Sequence, residues 1–343
     1  MTGDRAAFQE AVDAAAAAAR KIKSPEENPR PDNVSLYLDT AIGADLERFR
    51  DKKKTGFQNL DSKAGGLYTG LYCLAAISSL GKTSFALQLA DNLAEAGSDV
   101  LFFSLEQSRF ELVSKSISRR ANQAGTRTTS LQIREGGLSR AVLEAAKAYR
   151  EAVGERLSII EGNFSCNLAY IRDYVKTYME RNQTRPVVFI DYLQILQPAP
   201  EQQRQSTREA VDATMTELKR MSREFDLTIF VISSVNRNNY MTPIDFESLK
   251  ESGGIEYTCD VVWGLQLKCI SEEQFLFDGK KEKIAEKRER IKEAKRATPR
   301  EIELVCLKNR YGVANYNCYF DYFPAEDLFK EAGETENPWR PTR

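Results

Sequence analysis

Short apolar runs alternate with amphipathic stretches along most of the chain. The apolar runs predict strands at residues 71–77, 100–104, 157–160, 187–190, 228–233, 261–267 and 302–308. Most of these runs are continuously apolar, which is typical of strands that are covered on both faces. Helical periodicity lies between most of them, for example at residues 83–96, 110–124, 168–181 and 207–225. This order predicts an α/β fold with a doubly wound, mostly parallel central sheet.

The first 54 residues follow a different pattern from the rest of the chain. An alanine-rich helical stretch at residues 4–22 is followed by the polar segment SPEENPRPDN and by a second short helical stretch at about 41–52. Proline interrupts helices because it lacks the backbone N–H and clashes with the preceding turn. We therefore expect a helical extension with a Pro-rich linker at 1–54, a main domain at 55–331 and a tail at 332–343.

A charged insertion interrupts the main domain at about residues 271–300. Within it, the segment GKKEKIAEKRERIKEAKR at residues 279–296 has nine basic and four acidic side chains. A solvated, charged helix is the simplest interpretation of this pattern. A basic arm that faces DNA or a partner is the alternative interpretation.

Composition limits the chemistry that the chain can perform. The 343 residues include no histidine, and the six cysteines lack C-x-x-C spacing. Catalysis must therefore use carboxylates, Lys, Arg, hydroxyl groups and bound metal rather than a His base or a His-ligated zinc. Scattered cysteines are typical of free thiols in a reducing cytoplasm, and neither a signal peptide nor a membrane span is predicted. Because the net charge is only −1, any contact with nucleic acid requires local basic patches.

A turn of small residues separates a strand from a helix in the sequence LAAISSLGKTSFALQLA. The turn matches the phosphate-binding pattern G-x-x-x-x-G-K-[ST], except that Ala76 replaces the first glycine. In this pattern backbone N–H groups bind phosphate, the lysine reaches the β- and γ-phosphates, and the Thr hydroxyl binds Mg²⁺. An ordinary strand-to-helix turn is the alternative. The predicted residues for ATP are Ser78, Ser79, Leu80, Gly81, Lys82, Thr83 and Ser84.

Two carboxylates follow other apolar strands. Asp191 ends the run VVFID, and Glu106 follows VLFFS. Because parallel strands present their carboxyl ends at one edge of the sheet, both side chains are expected to reach the same crevice. Asp191 would then bind Mg²⁺ opposite Thr83, and Glu106 would activate the attacking water. A strand-terminal Asp that caps the next element is the alternative for Asp191.

Seven ordered segments of the main domain resemble one known family. They are TGFQNLD with GGLYTGLY, AISSLGKTSFALQLA, FFSLEQS, IDYLQIL, VISSVNR, LKESGGIEYTCDVV and LKNRYG. Together they resemble the C-terminal motor domain of DnaB-type replicative DNA helicases, which is a RecA-like P-loop ATPase. The resemblance runs from about residue 55 to residue 331.

The resemblance implies a ring of subunits with ATP bound between them. Such motors assemble as homo-hexamers, so that Arg310, helped by Lys308, would reach the nucleotide of the neighbouring subunit. A guanidinium suits phosphoryl oxygens because its donors form a planar fork. Without the resemblance, the sequence KNR would be interpreted as a surface hairpin with exposed charges.

The resemblance also implies single-stranded DNA as a partner, together with a primase or a helicase loader. In a RecA-like ring, the loops at about 198–208 and 236–254 line the central channel and contact the phosphodiester backbone without reading bases. Plain surface loops are the alternative. The predicted DNA-binding residues are Arg204, Arg208, Arg237, Asn238, Lys250 and Gly253.

Several positions depart from the family pattern. Ser234 stands where the sensor strand usually carries Gln, and Ile77-Ser78 replaces the more usual Arg-Pro. The helical N-terminal domain of full helicases has no counterpart in the resemblance, although residues 1–54 could supply a linker helix. The resulting hypothesis is an ATP-driven ring motor that translocates on single-stranded DNA and unwinds duplex. The alternatives are a RecA-like ATPase that binds DNA or a replication or recombination partner without processive unwinding, and a scaffold that only binds nucleotide.

Overall fold

The structure is a computed structural model, and it divides the chain into two compact units at residues 1–52 and 53–343. In the described part of the chain, no helix is both long enough and apolar enough to cross a bilayer. The helical stretch expected at 4–22, the linker before Asn33 and most of the tail lie outside that part. The described residues are 33–50, 52–162, 166–191, 193, 207–235, 241–272 and 281–333.

Two short helices form the described part of the first unit. Helix α1 is Val34–Thr40 and helix α2 is Ile42–Arg50. The Asn33 side chain accepts a hydrogen bond from the Leu36 backbone at 2.8 Å, which caps the start of α1. The helix expected at 41–52 is therefore present as α2, and α1 precedes it as an additional helix.

A nine-stranded sheet forms the centre of the described second unit. Its order is β3-β2-β4-β5-β1-β6-β7-β8-β9, with parallel pairing from β3 to β6 and antiparallel pairing from β6 to β9. The strands are β1 Gly70–Ala76, β2 Val100–Ser104, β3 Leu157–Glu161, β4 Val187–Asp191, β5 Thr228–Ser234, β6 Val261–Leu267, β7 Arg300–Asn309, β8 Asn317–Phe323 and β9 Leu328–Glu331.

Helices connect and cover this sheet. The central strands β1, β2 and β4 are buried at every position, as expected for strands covered on both faces. This arrangement confirms the predicted α/β fold with a mostly parallel sheet. The helices of this unit are α3 Gln58–Ala64, α4 Lys82–Glu95, α5 Arg109–Gln123, α6 Ser130–Arg134, α7 Arg140–Val153, α8 Leu168–Asn182, α9 Thr207–Phe225, α10 Gly253–Thr258 and α11 Lys281–Arg296.

All seven predicted strands are present, and two further strands were not predicted. Strands β8 and β9 form an antiparallel extension of the sheet beyond β7. Along β8 the side chains of Cys318, Phe320 and Tyr322 are buried while their neighbours are partly exposed. This period of two is that of a strand with one face on the core.

The charged insertion contains a helix, as its pattern predicts. Helix α11 exposes most of its described side chains and buries Ile291, with the partly buried Ala294 packed against the core. Its Arg290 forms an ion pair with Glu272. These contacts agree with a solvated, charged helix that is anchored by one apolar edge.

A buried ion pair connects α4 with α5 behind the sheet. Arg119 and Asp91 are 3% and 6% exposed, and their side chains form a direct ion pair. Asp91 also accepts a hydrogen bond from the Tyr149 hydroxyl at 2.9 Å, and Arg119 donates to the Asp327 carbonyl at 3.0 Å. Because both side chains are buried, loss of either partner would leave the other charge without a counter-ion and largely out of contact with water.

We expect Arg119→Ala to lower the free energy of unfolding by about 3–5 kcal/mol, because it leaves the Asp91 carboxylate buried without its cation. Urea denaturation of the whole chain measures this loss. Arg140→Ala is the matched control, since Arg140 is 93% exposed in its pair with Glu144 and its loss should cost less than about 1 kcal/mol. Equal effects of the two substitutions would contradict the assigned role of the buried pair.

Candidate active site

The turn between β1 and α4 has the backbone of an anion-binding loop. Ser79 and Gly81 have positive φ angles of 68° and 86°. Gly81 is the N-cap of α4 and supplies no side-chain hydrogen bond to the first turn. A Cβ at Gly81 would lie 2.7 Å from a ring carbon of Tyr322, so glycine is required there. The first N–H groups of α4 can therefore be satisfied by a bound anion.

The parallel register places the ends of four strands beside this turn. Ala76 of β1 lies opposite Ser234 of β5, and Ser104 of β2 lies opposite Asp191 of β4. Because β4 also pairs with β5, the four ends occupy one edge of the sheet. This convergence agrees with the expectation from strand order.

Two hydrogen bonds join α4 to neighbouring strand ends. The Lys82 ammonium donates to the Ser234 hydroxyl at 2.6 Å. The Thr83 hydroxyl donates to Oδ2 of Asp191 at 2.7 Å. Both helix residues therefore face the strand ends, with Lys82 over β5 and Thr83 over β4.

Asp191 is held in a desolvated position. It is 1% exposed, and this burial raises the pKa of its carboxyl to about 6. The hydrogen bond from Thr83 and the positive charge of Lys82 act in the opposite direction, and the negative charge of Glu106 adds to the rise. A cation beside this carboxylate would stabilise its ionised form.

A cavity of about 400 Å³ opens above the turn. Leu80 is fully buried and does not line it, whereas Ser84 lines it and donates a 2.8 Å hydrogen bond to Asp327. The structure thus brings most of the predicted phosphate-binding residues together with Glu106 and Ser234. The cavity is lined by Ser78, Ser79, Gly81, Lys82, Thr83, Ser84, Glu106, Gln107, Lys115, Ser234 and Tyr322.

Three lining residues were not predicted from the sequence. These are Gln107, Lys115 and Tyr322. The Lys115 ammonium lies 2.9 Å from Oδ1 of Asp327 and 3.2 Å from the Ser84 hydroxyl. The capping-box sequence Ser-x-x-Glu indicates where α5 begins, and it therefore indicates on which face of that helix Lys115 lies.

The residues at this site fit a nucleoside triphosphate with a hard divalent cation. Oε1 of Gln107 is buried and has no hydrogen-bond partner within the described ranges. Thr83 and Asp191 offer hydroxyl and carboxylate oxygens, which are the donors that Mg²⁺ prefers. Lys82 and Lys115 supply positive charge on the same cavity wall. The donor set is therefore complementary to phosphate oxygens and to their metal.

Lys308 and Arg310 lie away from this cavity. Asn309 pairs with Val261 at the start of β6, next to the start of β1. The phosphate turn follows the opposite end of β1, which has seven residues. At the usual rise per strand residue, Arg310 lies roughly 20 Å from the turn in its own chain.

Both cations contact the end of a short helix. Lys308 donates to the Glu256 carbonyl, and Arg310 donates to the Tyr257 carbonyl and to Oδ1 of Asp260, both at 3.2 Å. Burial lowers the pKa of Lys308, and the nearby charge of Arg310 lowers it further. The two cations are thus held together near the amino-terminal ends of β1 and β6, whereas the cavity lies at the carboxyl-terminal ends of the parallel strands.

The predicted DNA-binding residues are only partly covered by the structure. Arg204, Arg237 and Asn238 lie outside the described residues. Arg208 belongs to the first turn of α9, and Lys250 belongs to the 3₁₀ turn Glu247–Ser252. Gly253 is the first residue of α10. Their backbone positions place them after β4 and β5, on the two segments expected to face DNA.

Curated proteins that match this chain include replicative DNA helicases. The probable replicative DNA helicase of Trieres chinensis is 28% identical over 274 residues, covering 78% of this chain and 57% of that protein. The replicative DNA helicase DnaB of Buchnera aphidicola subsp. Acyrthosiphon pisum is 26% identical over 274 residues, covering 74% of this chain and 57% of that protein. The chain therefore spans a little over half the length of these relatives.

Solved structures share the fold. One solved ATPase domain superimposes with a TM-score of 0.69 at 21% identity, covering 88% of this chain and 100% of that chain. A DnaB-like replicative helicase, described with its interactions with primase, gives a TM-score of 0.66 at 19% identity and covers 87% and 66%. The family model for the DnaB-like helicase C-terminal domain matches residues 53–322. The chain therefore belongs to the DnaB-like helicase C-terminal domain family.

Proposed function

We propose that this protein is an ATP-hydrolysing ring motor of the replicative helicase type, which translocates on single-stranded DNA and unwinds duplex. The observation that carries the proposal is the separation of two charged groups. Lys82 and Thr83 lie with Asp191 at the carboxyl-terminal ends of the parallel strands, and Arg310 lies near the opposite ends of β1 and β6. Family membership supports the same activity.

Each residue around the cavity has a distinct proposed role. The backbone of Ser78 to Gly81 binds the phosphates, and Lys82 neutralises charge on the β- and γ-phosphates. Thr83 and Asp191 would hold Mg²⁺, which neutralises charge on the phosphates when bound. Glu106 orients the attacking water and accepts its proton.

Arg310 has a proposed role in the neighbouring subunit. Because it lies roughly 20 Å from the phosphate turn of its own chain, it can act on a nucleotide only when another copy supplies that nucleotide. A homo-hexameric ring places such edges next to each other at every interface. An arginine supplied in this way stabilises charge on the transferring phosphoryl group and raises the rate of hydrolysis by about 10³- to 10⁵-fold. Lys308 would support the same contact.

The remaining partners follow from the same proposal. Single-stranded DNA would pass the segments at 198–208 and 236–254, whose contacts would be to the phosphodiester backbone. A primase or a helicase loader is the expected protein partner, and the cytoplasm is the expected location. The division into a linker region at 1–54, a motor domain at 55–331 and a tail at 332–343 belongs to this proposal.

A RecA-like ATPase without processive unwinding is the second candidate. The observation that favours it is the 2.6 Å hydrogen bond between Lys82 and Ser234. Here the short hydroxyl of the sensor strand contacts the lysine, whereas a Gln at that position would extend further toward the γ-phosphate. Coupling between hydrolysis and DNA movement therefore distinguishes the two candidates.

We expect ATP hydrolysis to be stimulated by single-stranded DNA and to drive separation of a forked duplex. Glu106→Gln should lower turnover by about 10²- to 10⁴-fold while leaving nucleotide binding intact, because it removes the base and keeps the cavity. Glu155→Gln, at an exposed position, is the matched control. DNA-stimulated hydrolysis without strand separation would favour the second candidate. Hydrolysis indifferent to DNA together with no strand separation would contradict the ring motor.

We expect turnover to return when two inactive variants are mixed. Lys82→Ala removes the phosphate-binding lysine and Arg310→Ala removes the finger, so each alone should lose about 10³-fold or more. In a mixed ring, a Lys82→Ala subunit still supplies its finger to the intact cavity of an Arg310→Ala subunit. The ATPase rate of the mixture measures this complementation. A mixture as inactive as its components would show that the two residues do not serve one shared site.

We expect Asp191→Asn to abolish Mg²⁺-dependent hydrolysis and to stabilise the fold. The raised pKa of Asp191 means that the folded protein binds this proton more tightly than the unfolded chain, so wild-type stability falls as pH rises from the ordinary value of 3.8 through about 6. The stability difference from Asp191→Asn should grow over that window and reach roughly 2–3 kcal/mol above about pH 7. Denaturation at several pH values measures it, with exposed Asp173→Asn as control. A wild type more stable than Asp191→Asn at pH 8 would contradict the assignment.

A further inference from the structure

Helix α10 connects a proposed DNA-facing segment with the start of β6. The 3₁₀ turn Glu247–Ser252 continues directly into this helix. The Gly254 backbone N–H donates to Oδ1 of Asp212 on α9 at 2.7 Å. A Cβ at Gly254 would lie 2.6 Å from the same oxygen and 3.1 Å from Cα of Asp212, so a side chain here would crowd this contact. The beginning of α10 is therefore fastened to α9.

The end of α10 holds the two proposed finger cations. The last carbonyls of a helix have no partner within it and carry partial negative charge. Here Glu256 accepts from the Lys308 ammonium, and Tyr257 accepts from the Arg310 guanidinium at 3.2 Å. The helix thus contacts α9 at its start and the finger at its end.

Asp260 completes the attachment of Arg310. Its side chain is 5% exposed, and Oδ1 accepts from Nη1 of Arg310 at 3.2 Å. Its Oδ2 accepts from the Leu71 backbone at 2.8 Å and from the Lys219 ammonium of α9. The backbone carbonyl of Asp260 also accepts from the Arg310 N–H at 3.0 Å. The carboxylate is therefore fixed by β1 and α9, and it fixes the guanidinium in turn.

Arg310 nevertheless remains accessible from outside the chain. Its side chain is 46% exposed, although two of its amino groups are engaged by Asp260 and Tyr257. A guanidinium has five N–H donors in a rigid plane. Fixing two of its groups sets the direction of the plane, and the exposed part can meet phosphoryl oxygens.

We propose that Asp260 is a positioning residue that orients the Arg310 finger toward the neighbouring nucleotide, and that α10 links this orientation to the DNA-facing segment. The inference rests on the proposed function, since it requires a finger that acts between subunits. Asp212 and Lys219 of α9 contact the two ends of the linked segment, Gly254 and Asp260. A displacement of the segment before α10 is transmitted to Arg310 through these contacts.

The test places Asp260→Asn in one or the other member of the complementing pair. In the Lys82→Ala chain, which supplies the finger, the substitution should lower the single-stranded-DNA-dependent ATPase of the mixture by about 10- to 100-fold. In the Arg310→Ala chain, which has no finger to orient, it should change the rate by less than about twofold. A purely structural role would give equal losses in both placements.

Asp212→Ala is the second variant and is tested in the same two placements. It lies outside the cavity and the finger, so it keeps the inference testable if Asp260→Asn does not fold. We expect it to lower DNA stimulation only in the chain that supplies the finger. Equal losses in both placements, no loss in either, or a gain in the finger-supplying chain would overturn the inference. An inactive parent mixture would instead overturn the shared site itself, and the inference with it.

Discussion

Four parallel strands end side by side, and their register determines where the charges of this protein meet. Ala76, Ser104, Asp191 and Ser234 are the last residues of β1, β2, β4 and β5. Lys82 and Thr83 begin the helix after β1 and therefore contact the ends of two neighbouring strands. The antiparallel strand β7 ends beside the start of β6, at the opposite end of the strands from the phosphate turn. This position keeps Arg310 away from the phosphates of its own chain. The proposed hydrolysis therefore requires two neighbouring subunits at each nucleotide.

Much of the fold and most of the residues that line the site could be predicted from sequence because they depend on local order. The run VVFID predicted both a buried strand and a carboxylate at its end, and β4 with Asp191 has that form. Gly81 and Lys82 at the start of α4 predicted an anion site because their roles require only backbone geometry and one charge. Strand order alone was enough to expect Glu106 near the same turn.

The missed residues depend on contacts between distant parts of the chain. Tyr322 and Asp327 approach the phosphate turn only because β8 and β9 extend the sheet beyond β7. The alternating burial along β8 was visible in NCYFDYF, but aromatic residues on the partly exposed face weakened the pattern. The attachment of Arg310 to Asp260 joins residues 50 positions apart, and no periodicity predicts such a pair.

A structure of the assembled protein with a non-hydrolysable ATP analogue, Mg²⁺ and single-stranded DNA would show whether two neighbouring subunits form each nucleotide site. We expect phosphates on Lys82 and Thr83 of one subunit, with Arg310 of the neighbouring subunit within about 3 Å of the γ-phosphate oxygens. We also expect Asp260 still to contact that arginine. A ring whose nucleotides have no contact with Arg310 of any subunit would contradict a nucleotide site shared between subunits.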